Sequence, residues 1–282
     1  MINQTDFSYF YLTAYFDSGL LKYLYFLILL SLYLLIIATN VFLIVLICVN
    51  RSLHEPMYLF LCSLFVNELS GTLLCSHLCS CSVSSLAVMS YDRYLAICCP
   101  LHYNAQMTPQ KVLLLILLSW LFSSIATILL VSLSAPLRLC GNIIHKVYCI
   151  NYSIVKLACS DIRVNNMYAL VYTGMTTVAP VMLVVYTYMR ILKVCFSGSK
   201  QTRHKAVSTC TPHLASILNY TFGVFFEIIQ SRLNMDNVPN VLQIILSFYL
   251  IICQPFFNPL AYGLKLSKIQ NYIKNNLGVK WK

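Results

Sequence analysis

Asp92-Arg93-Tyr94 closes an apolar run and is followed by Cys98 and then Pro100-Leu101-His102-Tyr103. A carboxylate next to a guanidinium at that place is a fixed cation with its own counter-ion, set where a membrane helix leaves the bilayer. The chemistry open to such a pair is switching: the ion pair can be held, broken, or surrendered to a partner. Asn40, Glu68 and Asn258 are strongly polar residues inside other apolar runs. Polar groups at membrane depth face the interior of a bundle, because lipid offers them no partner. A lone carboxylate such as Glu68 must there be paired, hydrated or protonated. Cys75, His77, Cys79 and Cys81 have the types and short spacing of metal ligands. A second ligand pair is missing, and Ser/Cys-rich helix is ordinary packing material in membranes, so no metal site is assigned. Catalysis finds no support: the chain has no Gly-rich phosphate loop, no nucleophile–base set and no soluble catalytic domain, and no cofactor is implied.

The elements that must position these residues follow from composition. Hydrophobic residues make up 59% of the chain and charged ones 10%, against roughly half and a quarter in soluble domains. Mean hydropathy is +0.76. The chain reads as an all-α membrane protein, one bundle over residues 1–282. A span needs about 20 apolar residues, so seven spans in 282 residues leave only short loops. The net charge of +11 does not indicate nucleic acid, which asks for a clustered patch on a soluble face. Here Lys and Arg sit between apolar runs. Most fall near Arg51, near Arg93 and Lys111, between Arg190 and Lys205, and in the tail from Lys265 to Lys282. Short cytoplasmic loops collect such cations. That places 265–282 in the cytoplasm, with 1–19 and the 136–165 loop outside. Residues 1–19 lack an apolar core, so the first span is expected to direct its own insertion. Asn3-Gln4-Thr5 is a glycosylation acceptor in that outer segment.

Spans are expected near 20–49, 111–135, 166–192 and 240–264, with another starting near Lys205. Residues 57–93 number 37, whereas two spans and a turn need somewhat more than about 40. The basic residues at Arg51 and Arg93 share a side only if the chain crosses twice between them. The expected solution is a shortened hairpin between helices 2 and 3, turning near Ser70-Gly71-Thr72; a single fused span is the rival. Pro180 and Pro259 are expected to kink their helices, since proline removes a backbone hydrogen bond. Tyr168, Tyr172 and Thr176 recur at four-residue intervals and share a helix face, either as packing with satisfied hydroxyls or as a pocket wall. Asn219, Phe222 and Phe226 climb toward the outside along the sixth span and are the other candidate pocket residues.

Five blocks carry a resemblance. They are Leu53-His54-Glu55-Pro56-Met57-Tyr58; Met89-Ser90-Tyr91-Asp92-Arg93-Tyr94 with the residues after it; Cys140, Cys149 and Cys159; Lys205-Ala206-Val207-Ser208-Thr209-Cys210 with Pro212-His213-Leu214; and Asn258-Pro259-Leu260-Ala261-Tyr262. In this order they resemble the olfactory receptors of the rhodopsin-like G-protein-coupled family. The resemblance implies a seven-transmembrane bundle in the plasma membrane that detects a small odorant and signals to a heterotrimeric, stimulatory olfactory-type G protein. It implies coupling and switch roles for Asp92, Arg93, Tyr94, Lys205, Ser208, Thr209, Cys210, Asn258, Pro259 and Tyr262, with Glu68 as the acid that helps switch the bundle. For Asn40 it implies an interhelical contact near span 2. It implies a Cys140–Cys159 disulfide and leaves Cys149 without its partner, because sequence between about Gly71 and Tyr91 has been lost. The alternative is a receptor-derived polypeptide that does not signal: a pseudogene product, a mispredicted transcript, or a chain retained inside the cell.

Overall fold

The structure, a computed structural model, describes residues 9–12, 19, 21–70, 75–144, 151–197, 200–232, 240–266, 269–270 and 272. At 21, 75–78, 200–206, 208, 228–232, 240–241, 243–244 and 250 it describes the backbone alone. The described chain is mainly helical. Helices α1 (Leu21–Val49), α2 (Pro56–Ser70), α3 (Cys75–Cys98), α4 (Tyr103–Gln106) and α5 (Pro109–Ser134) make the first half. Helices α6 (Asn151–Val155), α7 (Arg163–Thr173), α8 (Ala179–Ser197), α9 (Lys200–Arg232), α10 (Asn240–Phe248) and α11 (Gln254–Lys265) make the second.

Local chemistry explains several boundaries. Pro109 opens α5 as its first residue, and the Thr108 side chain accepts from the Lys111 amide at 3.3 Å. Thr-Pro thus supplies cap and first turn together. Pro56 opens α2 in the same way. Two π-helical segments, Gly174–Val178 and Tyr249–Cys253, interrupt otherwise continuous helices. Each stands just ahead of a proline, Pro180 and Pro255. A proline cannot donate to the carbonyl four residues back, and a wider turn is one way a helix absorbs that loss. The distortion expected at Pro180 therefore lies one turn before it. Pro259 sits inside α11, and an irregular turn also precedes Pro255.

Among the described residues, four stretches are long and apolar enough to cross a membrane: Lys22–Val49, Pro109–Ser134, Arg163–Ser197 and Ile245–Lys265. Their outer faces carry large apolar side chains such as Leu24, Leu118, Ile128 and Met182, the surface a lipid solvent accepts. Helix α3 is different. It packs against α2, α5, α8 and α9, and Ser80, Ser82, Ser84, Ser85 and Ser90 are buried along it. Small hydroxyl residues let backbones approach closely, and α3 makes room for its four neighbours in this way. Helix α1 packs on α2 and α11, and α11 also on α9.

Helices α2 and α3 are separate helices that pack against each other. Asn67 Nδ2 donates to Ser82 Oγ at 2.9 Å between them. Of the turn expected near Ser70-Gly71-Thr72, Ser70 ends α2 and the other two residues lie outside the described ones. A small cap gathers elsewhere: Tyr11–Leu12 pairs in parallel with Ile143–Ile144, and Leu139 bridges Ala158 beside a Cys140–Cys159 disulfide.

Candidate functional site

At the C-terminal end of α3, Asp92 is fully buried and both its oxygens are used. Arg93 approaches Oδ2 with Nε at 3.1 Å and Nη2 at 2.6 Å, while the Tyr103 hydroxyl donates to Oδ1 at 2.8 Å. Leu95 is buried behind the pair, and α4 follows after one 3₁₀ turn (Pro100–His102), which is how the chain brings Tyr103 back. Burial, and then the neighbouring Asp92 carboxylate, pushes the Tyr103 phenol well up from its ordinary value. The phenol thus stays a donor. The three residues form a latch: a buried anion shared between the Arg93 cation and the Tyr103 hydroxyl. Tyr94, next along, is half-buried against the core.

One turn deeper, His213 joins three helices. Its Nε2 lies 2.9 Å from the Leu86 carbonyl of α3, and its Nδ1 lies 2.6 Å from the Tyr188 hydroxyl of α8. A carbonyl only accepts, so the proton is on Nε2 and Nδ1 accepts from tyrosine. The two rings also stack, with centroids 5.6 Å apart. Cys210, one turn earlier on α9, is buried. Thr209 is half-buried, and the side chains of Lys205 and Ser208 lie outside the described residues.

A second polar group ties α1, α2 and α11. Asn258 Nδ2 donates to Glu68 Oε1, and both residues are buried. Asn40 donates to the Ile36 carbonyl of its own helix and to the Pro255 carbonyl, both at 2.9 Å. The interhelical contact expected of Asn40 is made with the last helix, through the Pro255 carbonyl. The reason is legible once seen. In an α-helix the Pro255 carbonyl accepts from the amide of residue 259, and residue 259 is proline. The orphaned acceptor takes the Asn40 amide instead. Tyr262, one turn beyond Pro259, is buried.

The candidate pocket residues divide between two neighbours. Tyr168 donates to the Ala126 carbonyl at 3.0 Å, and the Tyr172 hydroxyl lies 3.4 Å from Thr127 Oγ1, both on α5. Thr176 bonds back to the Tyr172 carbonyl at 2.7 Å. Asn219 instead donates to Gln254 Oε1 at 2.8 Å and accepts from the Tyr249 hydroxyl at 2.7 Å. Phe222 makes edge contacts with Phe226 and Tyr249. A cavity of about 200 Å³ opens between α1, α2 and the last helix, and none of these six residues lines it.

A family model described as "Olfactory receptor" matches residues 71–280. The chain belongs to the olfactory receptor family. It is 31% identical to human olfactory receptor 11A1 over 96% of this chain and 94% of that one. It is 32% identical to mouse olfactory receptor 5P58 over 99% and 94%, and 30% identical to orangutan olfactory receptor 1D2 over 93% and 92%. The alignment with the human relative runs over 301 positions, more than the 282 residues present here. That relative therefore has residues with no counterpart in this chain. An olfactory receptor is a G-protein-coupled membrane receptor and not an enzyme.

Several residues of this receptor that hold its motifs together escaped the sequence reading. Tyr103 was visible only as part of the Pro-Leu-His-Tyr block, and nothing in its spacing assigns it to Asp92. Tyr188, Leu86 and Gln254 carried no signal. Pro255 did, through the proline four residues later. Trp120, beyond packing, donates to Ser63 Oγ at 2.9 Å. Cys149 and Asn3 lie outside the described residues.

Proposed function

We propose that this chain is an odorant-gated switch of seven spans, α1, α2, α3, α5, α7–α8, α9 and α10–α11, coupled to a stimulatory olfactory-type G protein. The amino terminus faces outward and the tail faces the cytosol. Helix α2, with 15 residues, rises only about 22 Å and crosses as the short arm of a cramped hairpin. The observation that carries the reading is the Asp92–Arg93–Tyr103 latch at one end of the central helix. In the resting state the arginine is neutralised inside the bundle. An odorant that binds the other state better shifts the equilibrium through that difference in affinity alone. Arg93 then leaves Asp92 and turns to the G protein, while Lys205, Ser208, Thr209 and Cys210 on α9 and the Asn258–Tyr262 turn of α11 move with it. Tyr168, Tyr172, Thr176, Asn219, Phe222 and Phe226 line the odorant side.

The test is cyclic AMP accumulation in cells carrying the stimulatory G protein and an N-terminally tagged receptor, challenged with an odorant panel. A concentration-dependent rise that Arg93→Ala abolishes at matched surface level supports the reading; a surface-expressed chain silent to the panel and without basal signalling in Tyr103→Phe overturns it. The relatives' additional residues favour one second reading, a receptor-derived chain that does not signal. Retention of the tagged chain inside the cell is its expected signature.

A further inference from the structure

Glu68 Oε2 is buried without a hydrogen-bond partner, and that burial closes it to any ligand. The thiols at the C-terminal end of α1 are placed differently. Among the described free cysteines Cys48 is the exposed one, and the others are half-buried or buried. It is the penultimate residue of α1, next to the turn Arg51–Leu53 that leads into α2. Its side chain shares a hydrogen bond with the Cys62 thiol of α2, and Cys62 packs half-buried against the core. The turn itself is tied down. Asn50 Nδ2 donates to the Leu46 carbonyl at 2.7 Å, His54 Nε2 donates to the Cys48 carbonyl at 3.2 Å, and Leu53 is buried. The two sulfurs are therefore held side by side where α1 and α2 pack together.

From this geometry we infer that Cys48 and Cys62 form a dithiol that a hydroperoxide oxidises to a disulfide, with Cys48 reacting first and Cys62 resolving it. An accessible cysteine beside a second, held one is the arrangement of redox-sensing thiols. In the first step the Cys48 thiolate, the nucleophilic form, attacks a hydroperoxide oxygen. An S–O bond forms, the O–O bond breaks, and the departing oxygen takes the thiol's proton and leaves as an alcohol or as water. Cys48 is then a sulfenic acid. In the second step Cys62 Sγ attacks that sulfur. An S–S bond forms, the S–O bond breaks, and the hydroxide leaves as water with the Cys62 proton. Two thiols are oxidised and one hydroperoxide is reduced, so no further reactant is needed. A disulfide spans only about 2 Å between sulfurs, and thiols already in hydrogen-bond contact move little to reach it. The product joins α1 to α2. On the cytosolic side, where the proposed topology puts this turn, cellular reductants make such a bond transient. The hydroperoxide comes from water as hydrogen peroxide or from the bilayer as an oxidised acyl chain, since Cys48 stands between the exposed apolar Val45 and Val49 and the exposed Arg51. The inference needs only the folded bundle, not a signalling one.

The experiment uses the full-length chain in phosphatidylcholine nanodiscs, treated either with hydrogen peroxide or with a phosphatidylcholine hydroperoxide built into the disc. Remaining thiols are blocked with N-ethylmaleimide, and peptides kept unreduced are mapped by mass spectrometry. A peptide linking Cys48 to Cys62 is expected to accumulate with dose and to disappear on treatment with dithiothreitol. Linking by hydrogen peroxide alone assigns the oxidant to the water phase. Linking by the lipid hydroperoxide assigns it to the bilayer, and either supports the site. In Cys62→Ser the oxidation should stop at Cys48 and be trapped there as a dimedone adduct. In Cys48→Ser the oxidation of Cys62 should be lost, leaving its thiol open to the maleimide. Three results overturn the proposal: both thiols untouched by either oxidant, Cys48 linked to another cysteine in preference, or a dimedone adduct that builds up on Cys48 of the unchanged chain without the link. The link is read in the unchanged chain, so a folding failure of either serine variant does not remove the test.

Discussion

A buried carboxylate with two different donors has two different fates when one is removed. Arg93→Ala leaves Asp92 with a single hydroxyl and strands an anion in the bundle, which costs several kcal/mol. Tyr103→Phe removes one charge-assisted hydrogen bond, worth about 1.5–3 kcal/mol, and leaves the ion pair on a looser hold. Tyr103→Phe is therefore expected to raise ligand-independent cyclic AMP about tenfold at matched surface level, and an unchanged basal rate would show that Tyr103 does not restrain the latch. His213 makes a sharper case because its tautomer is set. Tyr188→Phe strands one buried nitrogen, at a cost of about 1–3 kcal/mol. His213→Ala strands the Tyr188 hydroxyl, takes a second donor from the Leu86 carbonyl and adds a cavity. Heated in detergent and assayed by size exclusion, His213→Ala should lose its folded fraction at a lower temperature than Tyr188→Phe. The residue types were legible at this scale and their partners were not. Asp92 and Arg93 announce themselves by adjacency, whereas Tyr103, eleven positions from Asp92, is brought back by a turn.

Prolines set the behaviour of the helices, through the carbonyls they orphan rather than through the bends they make. Pro259 removes the amide that Pro255 needs, and Asn40 on α1 supplies another. Asn40→Leu should therefore destabilise the α1–α11 contact by about 0.6–1.7 kcal/mol, the range for hydrogen bonds between membrane helices. Pro259→Ala restores the amide and makes Asn40 redundant. In the double variant the Asn40→Leu cost should largely vanish, a coupling readable as a thermal-shift cycle; strict additivity would mean that Asn40 holds α1 in some other way. The same reasoning explains why the irregular turns precede Pro180 and Pro255. Helix α3 shows what periodicity cannot reveal. Its serines and cysteines look like a poor span, and they are there because four other helices crowd it and only small side chains let them in.

For the whole molecule the question is how many times the chain crosses. If α2 and α3 form a cramped hairpin, Arg51 and Arg93 share the cytosolic face. Cysteines placed at each should then be labelled by an impermeant thiol reagent only after the cells are permeabilised; labelling of one in intact cells would give the bundle a different topology. The disulfide at the other end gives a second whole-molecule expectation. Cys140→Ser and Cys159→Ser should each lower surface expression, and the double variant no further, because the first change already removes the whole bond, worth about 2–5 kcal/mol. By itself the sequence determined the solvent, the family and which polar residues stand inside apolar helices. Those follow from composition, from cation placement and from local motifs, all of which act over a few residues. The tertiary structure alone decided which helix Asn40 clasps, which hydroxyl shares Asp92 and where Glu68 leaves an oxygen unpaired. Each is a contact between segments far apart in the chain, selected by which acceptor is left without a donor once the helices have packed, and no spacing along a chain records that.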